Sequence, residues 1–243
     1  MTLKKPFAVT IVTLFPEAFP GLLGMSVLGR GLREGLWELR VVNLREYGEG
    51  KHRTVDDTPY GGGAGMVLKP DVVAAALRGA KSPGTGHQAP GEVAALPRTL
   101  YMGPAGRRFV QADARRLAAE ECGIVILCGH YEGVDERVLE AEVDEVVSVG
   151  DFVLSGGENA AMVVVDAVVR LLPGVLGGDA SLHEESFDIV DEVGVPLVEY
   201  PHYTRPVAWE GRAVPEVLTK GNHAEIKAWR MGQAKERTAR AKG

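Results

Sequence analysis

Ser148-Val-Gly-Asp-Phe-Val-Leu-Ser-Gly-Gly-Glu158 is the stretch on which the reading of the fold turns. A strand-like run, residues 143–149, leads into it, and a helix-like run, residues 159–172, leaves it. Three glycines in eleven residues point to backbone that bends sharply or lies close against another group. Phe152, Val153 and Leu154 are apolar, so the segment is not an ordinary solvent loop. Apolar walls with exposed backbone N–H and C=O groups suit a flat heteroaromatic ligand such as an adenine. A tight strand-to-helix turn packed beneath the helix fits the spacing equally well. Neither the G-x-G-x-x-G fingerprint nor the G-x-x-x-x-G-K-[ST] phosphate loop occurs here.

The same alternation extends upstream. Residues 7–15, 36–44, 98–102, 123–128 and 143–149 read as strands. Helical pieces are expected at 17–23, 26–34, 71–78, 111–121, up to about 141, and 158–172. Strands alternating with helices, the later strands apolar on both faces, predict an α/β fold with a parallel sheet covered by helices on both sides. Ligands in such sheets sit beyond the C-terminal strand ends. Three strand ends carry glycine loops, at 103–106, 129–133 and 150–157.

A chain of 243 residues accommodates one large domain, or one domain and a small second one. At 45% apolar and 25% charged, its composition is that of an ordinary globular protein. Two cysteines, Cys122 and Cys128, exclude a disulfide scaffold and predict a reduced, cytoplasmic setting. The start, Met-Thr-Leu-Lys-Lys-Pro, reads as a lead into a strand, not a signal peptide. No apolar run reaches membrane-span length, so no membrane is expected. Net charge is −6, but residues 201–243 hold nine Lys/Arg against four Asp/Glu, which gives +5 there and leaves −11 for the rest. A basic end on an acidic body suggests a local anionic partner; a solvated helix face is the alternative.

Residues 45–69 form a long irregular stretch in which His52, Arg53, Asp56, Asp57 and Tyr60 accompany four glycines between 61 and 65. It offers cations for phosphates and carboxylates for a base edge or a metal. The insertion at 82–91 carries no assigned function. On the helix at 158–172, apolar almost all round and therefore expected to be buried, Asp166 and Arg170 stand at i,i+4. They read either as an intrahelical ion pair or as an arginine braced for a substrate. Residues 174–205 read as an interdomain linker. In the tail, Asn222 followed by Glu225 signals a helix start, with Lys227 and Arg230 available to phosphates.

Taken together, these segments carry a specific resemblance. His52-Arg-Thr-Val-Asp-Asp57, Pro59-Tyr-Gly-Gly-Gly63, Gly129-His-Tyr-Glu-Gly133, Asp135-Glu-Arg137, Val149-Gly-Asp-Phe-Val-Leu-Ser-Gly-Gly-Glu158, Pro173-Gly-Val-Leu-Gly177, Tyr200-Pro-His-Tyr-Thr-Arg-Pro206 and Gly221-Asn-His-Ala-Glu225 run nearly end to end. The chain resembles the bacterial tRNA (guanine-N1)-methyltransferases of the TrmD type. The resemblance implies a SPOUT-class fold with a C-terminal trefoil knot in the catalytic domain, which pattern and propensity alone would never propose. It implies an obligate homodimer with sites at the subunit interface. The implied domains are 1–173, catalytic; 174–205, linker; and 206–243, a small helical tRNA-binding domain. S-adenosylmethionine is the implied methyl donor, guanine 37 of tRNA the acceptor, and Mg²⁺ an implied cofactor.

Site residues follow by position. One wall of the donor pocket is expected from Tyr101, Met102, Gly103 and Pro104, and a second from Gly129, Tyr131 and Glu132. The third is expected from Val149, Gly150, Phe152, Leu154, Gly156 and Gly157. Contacts to tRNA are expected at His52, Arg53, Asp56, Ser181, Lys227 and Arg230. Methyl transfer to a ring nitrogen requires alignment, a base for the N1 proton and stabilisation of charge growing toward O6. The family's arginine falls on Arg170. Its aspartate falls on Glu185, a departure that keeps nearly the same basicity and adds one methylene; the neighbouring Glu184 is the rival. Ala160 stands where a proline is frequent, and the tail stops shorter than in some relatives. Methylation of another RNA base, or RNA binding without catalysis, are the competing functions.

Overall fold

The computed structural model describes residues 5–82, 96–177 and 185–242. These divide into two compact units, 1–177 and 178–243. Ser181, Glu184 and most of the insertion at 82–91 lie outside the described residues.

Unit 1 is built on a five-stranded sheet. Its strands are β1 (Phe7–Thr13), β2 (Trp37–Asn43), β5 (Arg98–Arg108), β6 (Ile124–Cys128) and β7 (Glu145–Ser148), in the order β2-β1-β6-β5-β7. Every pairing is parallel. The two-residue strands β3 (Asp56–Asp57) and β4 (Val67–Leu68) form a separate antiparallel ladder within the irregular stretch at 45–69. Helices α1 (Ser26–Arg33), α2 (Pro70–Lys81), α3 (Gln111–Ala118), α4 (Glu136–Glu142) and α5 (Glu158–Val169) connect the strands.

Because side chains alternate across a strand, the sheet carries two cores. Val9, Ile11, Leu100, Met102, Ile124, Ile126 and Cys128 pack with Leu28, Ala114, Leu117 and the buried face of α5. Val12, Tyr101, Val125 and Leu127 pack with Val72, Val73, Ala76 and Leu77 of α2 and with Val138 and Leu139 of α4. Each fully buried Leu or Ile contributes about 1.5–3 kcal/mol by leaving water. Trp37 is fully buried and its indole N–H donates to the Leu28 carbonyl at 2.9 Å, so its polar atom is satisfied.

Three expectations are revised. Strand β5 does not stop at Met102. It bulges over residues 103–106 and resumes, so that Val147 pairs with both Met102 and Arg107. Pro104 has no N–H for a ladder, and a side chain at Gly106 would meet the Val146 carbonyl carbon at 2.5 Å. Helix α5 ends at Val169, three residues short of Leu172. Pro173 disfavours helical geometry before it, and the last turn tightens into Leu171 N–H to Val168 and Leu172 N–H to Val169 bonds. Nor is α5 buried all round: Asn159, Val163 and Asp166 form an exposed stripe, with Val163 at 53%.

Unit 2 contains the hairpin β8 (Ala208–Trp209) and β9 (Arg212–Ala213) and the helix α6 (His223–Lys242). Asn222 caps α6 as its sequence signal predicts. Its Oδ1 accepts the Ala224 N–H at 3.2 Å, and its amide donates to Glu225 at 2.8 Å. Buried Thr238 of α6 accepts the Val198 N–H at 2.8 Å, and Lys235 pairs with Glu192 at 2.6 Å. Residues 185–200 thus pack on α6 within this unit.

Candidate active site

The three glycine loops follow β6, follow β7 and interrupt β5, and they line one cavity of about 260 Å³ in unit 1. Tyr101, Met102, Gly103 and Pro104 form one side. Gly129, Tyr131 and Glu132 form another. Val149, Gly150, Phe152, Leu154, Gly156 and Gly157 complete it. All thirteen residues expected to hold the donor therefore meet around one space. Sequence reasoning misses His130, Gly133, Val147, Ser148, Val153, Ser155 and Ala160, which also line it. His130 sits inside the quoted Gly129-His-Tyr-Glu-Gly133 motif, so a signal exists. Ala160 stands out in the sequence only as a departure from proline.

Close backbone packing sets the cavity's shape. The Gly157 N–H donates to the Gly129 carbonyl at 2.9 Å, which joins the second and third walls. A Cβ on Gly157 would lie 2.7 Å from Cys128 Cα, and one on Gly129 would lie 2.7 Å from the Tyr101 hydroxyl oxygen. Tyr131 occupies the left-handed region at φ 59°, a conformation costly for a bulky residue and tolerated where surrounding contacts enforce it. Ser148 Oγ donates to the Gly150 carbonyl at 2.9 Å and fixes the start of the third wall. The Glu132 N–H donates to Met66 O at 2.9 Å, and the Leu68 N–H to Gly133 O at 3.0 Å. The segment that follows the glycine stretch at 61–65 is thereby tied to the second wall.

Burial, with a smaller contribution from the charge of Glu136, raises the Tyr101 phenol, so the hydroxyl stays protonated at neutral pH. Burial and the nearby Glu158 carboxylate push the Cys128 thiol well up, which makes it an inert core residue. Asp135 caps α4 and holds Arg137 through bonds of 2.9 and 2.8 Å; that guanidinium depresses its carboxyl.

The remaining expected residues are placed as follows. Arg170 is the half-buried C-cap of α5, its N–H bonded to the Asp166 carbonyl. Glu185 belongs to unit 2, is half-buried, and its carbonyl accepts the Asp188 N–H at 3.0 Å. His52 and Arg53 are exposed, with Arg53 at φ 51°, and Asp56 is half-buried in β3. Lys227 is exposed on α6, and Arg230 lies over the Tyr200 ring at 4.6 Å. Among the described residues no three His, Cys, Asp or Glu side chains come together as metal ligands. No helix among them is long and apolar enough to cross a membrane.

Comparison with known proteins identifies the chain's relatives. Residues 7–242 match the family described as tRNA (Guanine-1)-methyltransferase TrmD. A Cereibacter sphaeroides protein named tRNA (guanine-N(1)-)-methyltransferase is 52% identical over 236 residues, covering 97% of this chain and 90% of the relative. A protein of the same name from Mesorhizobium japonicum is 53% identical over 232 residues, covering 96% and 93%. One from Brucella canis is 52% identical over 232 residues, covering 96% and 87%.

Proposed function

The chain belongs to the tRNA (Guanine-1)-methyltransferase TrmD family, and from that premise we propose that its cavity binds S-adenosylmethionine for methyl transfer to guanine 37 of tRNA. Methylation of guanine N1 in tRNA is its reaction. The observation that carries the donor site is the convergence of thirteen expected residues, from three separate loops, on one cavity. Apolar Met102, Val149, Phe152 and Leu154 offer surface to an adenine, and the glycines let backbone N–H and C=O groups approach it. In this reading the three loops form the deep trefoil knot of the SPOUT class. Residues 206–243 grip tRNA, with His52, Arg53, Asp56, Ser181, Lys227 and Arg230 among the contacts. The enzyme works in the cytoplasm as a homodimer.

The donor's methyl carbon is aligned with N1 by the cavity walls. Glu185 takes the N1 proton as the N1–C bond forms and the S–C bond breaks, and S-adenosylhomocysteine leaves. Arg170 stabilises negative charge developing toward O6. Mg²⁺ belongs with phosphates and water as much as with carboxylates. The described residues assemble no protein cage for it, and each step above uses the chain's own groups.

The test is methyl transfer from labelled S-adenosylmethionine to a tRNA transcript with guanine at 37, and to one with that guanine replaced. Wild type, Glu185→Gln, Glu184→Gln and Arg170→Ala are compared. Loss of about two or more orders of magnitude in the Glu185 and Arg170 variants alone is expected, with no reaction on the replaced base. A dead Glu184→Gln and an active Glu185→Gln would move the base by one residue. Wild-type methylation of the replaced transcript would remove position 37 from the proposal.

A further inference from the structure

Thr13, His130 and Glu158 come from three distant parts of unit 1 and meet beside the cavity. Thr13 closes β1, His130 follows β6 and Glu158 opens α5. Thr13 Oγ1 donates to Glu158 Oε1 at 2.6 Å, and His130 Nε2 lies 2.8 Å from Glu158 Oε2. The His130 and Glu158 side chains are 15% and 13% exposed. A carboxylate only accepts, so the proton sits on Nε2 and the imidazole is held in one orientation. The Thr13 hydroxyl oxygen also accepts the Phe15 N–H at 2.9 Å, and the Phe15 ring packs on the imidazole with centroids 4.8 Å apart. A carboxylate in the first turn of a helix is favoured by the dipole alone. Here, however, both oxygens are bonded to side chains of other segments.

This network touches the cavity wall directly. His130 lines the cavity. A side chain on Gly156 would collide with His130 Nε2 and stand 2.6 Å from Glu158 Oε2. Gly157, which precedes Glu158, is bonded to Gly129, which precedes His130. The third wall is therefore held against the second by the backbone bond and by the half-buried pair beside it.

We propose that Thr13, Glu158 and His130 form a positioning network that keeps the Gly156–Gly157 wall in its donor-binding shape. It rests on the reading of the cavity as the S-adenosylmethionine site. Groups that orient others through hydrogen bonds act on affinity without touching the reacting atoms.

The experiment is calorimetric titration with S-adenosylmethionine, together with kinetics in which donor and tRNA are varied separately. Wild type, Thr13→Val, Thr13→Ser, His130→Ala and Glu158→Ala are compared, with circular dichroism to confirm folding. Thr13→Val and His130→Ala are expected to raise the donor's Kd and KM about tenfold, as loss of a hydrogen bond to a charged group does. The KM for tRNA and kcat stay within about twofold, and Thr13→Ser restores donor binding. If Glu158→Ala does not fold, Thr13→Val still tests the network, since it removes one oxygen and keeps the shape. Folded Thr13→Val and His130→Ala variants with unchanged donor affinity would reduce the network to a structural clasp and overturn the proposal. A wild type that does not bind S-adenosylmethionine overturns the reading of the cavity instead, whatever the variants do.

Discussion

Gly157→Ala tests whether the cavity's walls are rigid. The backbone at Gly157, φ −79° and ψ −9°, is open to any residue, so the substitution introduces no dihedral strain. Its effect is steric. The new Cβ lies 2.7 Å from Cys128 Cα, 2.9 Å from Gly129 N and 3.2 Å from Cys128 C. Carbon atoms rest at about 3.5–4.0 Å, so the shortest contact falls short by roughly 0.8 Å. All three neighbours are backbone, and no rotamer change relieves them. Strand β6 is paired on both sides, to β1 and β5, and cannot retreat. The N-terminus of α5 must move, and it carries Gly156 and Ala160 out of the wall. Overpacking of this kind costs about 1–3 kcal/mol, or roughly 2–12 °C in Tm for a domain of this size. Displacing a wall by about 1 Å lowers methyl transfer by up to about 10²-fold. Thermal melting and single-turnover transfer on the purified variant read the two effects. A Tm within about 1 °C of wild type, with unchanged donor affinity, would show that the α5 start yields freely and would refute the argument.

Other expectations follow from the same structure. Asp113 accepts from Arg107 at 2.6 Å and from the Val110 N–H at 3.0 Å, and the Arg107 bond, more than any other group, holds its carboxyl below the usual 3.8. A depressed carboxylate stabilises above its unfolded pKa and loses that contribution as pH falls through the folded value. The Tm advantage of wild type over Asp113→Asn should therefore be full at pH 6 and shrink below about pH 4; a gap independent of pH would contradict it. Gly232 lies inside α6, and a Cβ added there would meet nothing within 4 Å. Gly232→Ala should raise stability by up to about 1 kcal/mol, and a lower Tm would count against it. Iodoacetamide at pH 8 should label half-buried Cys122 and spare buried Cys128 in native protein, as peptide mass mapping would reveal.

The sheet is legible because its strands are written in strong local patterns. Fully apolar Ile124–Cys128, buried at every position, admits little else. Glycine loops at strand ends mark the cavity, because a glycine that fits only without a side chain leaves a compositional trace. The bulge in β5 is not legible: residues 103–106 read as a terminator, and only the neighbouring strand makes the ladder resume. Thr13 and Glu158 are not legible as a pair either. They are 145 positions apart, and no local rule links a strand-end threonine to a helix-start glutamate. The exposed stripe on α5 escapes the sequence for a related reason. Val163 counts as apolar in any periodicity, whether it faces a core or the outside.

That stripe bears on how the proposed catalytic groups are arranged. Asn159, Val163, Asp166 and Arg170 stand at i, i+4, i+7 and i+11, one face of α5, while Ala160 on another face lines the donor cavity. Ten residues separate Ala160 from Arg170, about 15 Å along the axis. Arg170, the half-buried cap some ten residues past Ala160, is poorly placed to serve the cavity at the start of its own helix. It is well placed to serve whatever covers that face. Val163 on that face is itself an exposed apolar side chain, which favours a protein surface as the cover. A second copy of the chain meets both conditions, because a two-fold contact sets the same face against itself and exchanges residues between sites. The homodimer proposed here thus draws support from where α5 places its arginine as well as from family membership.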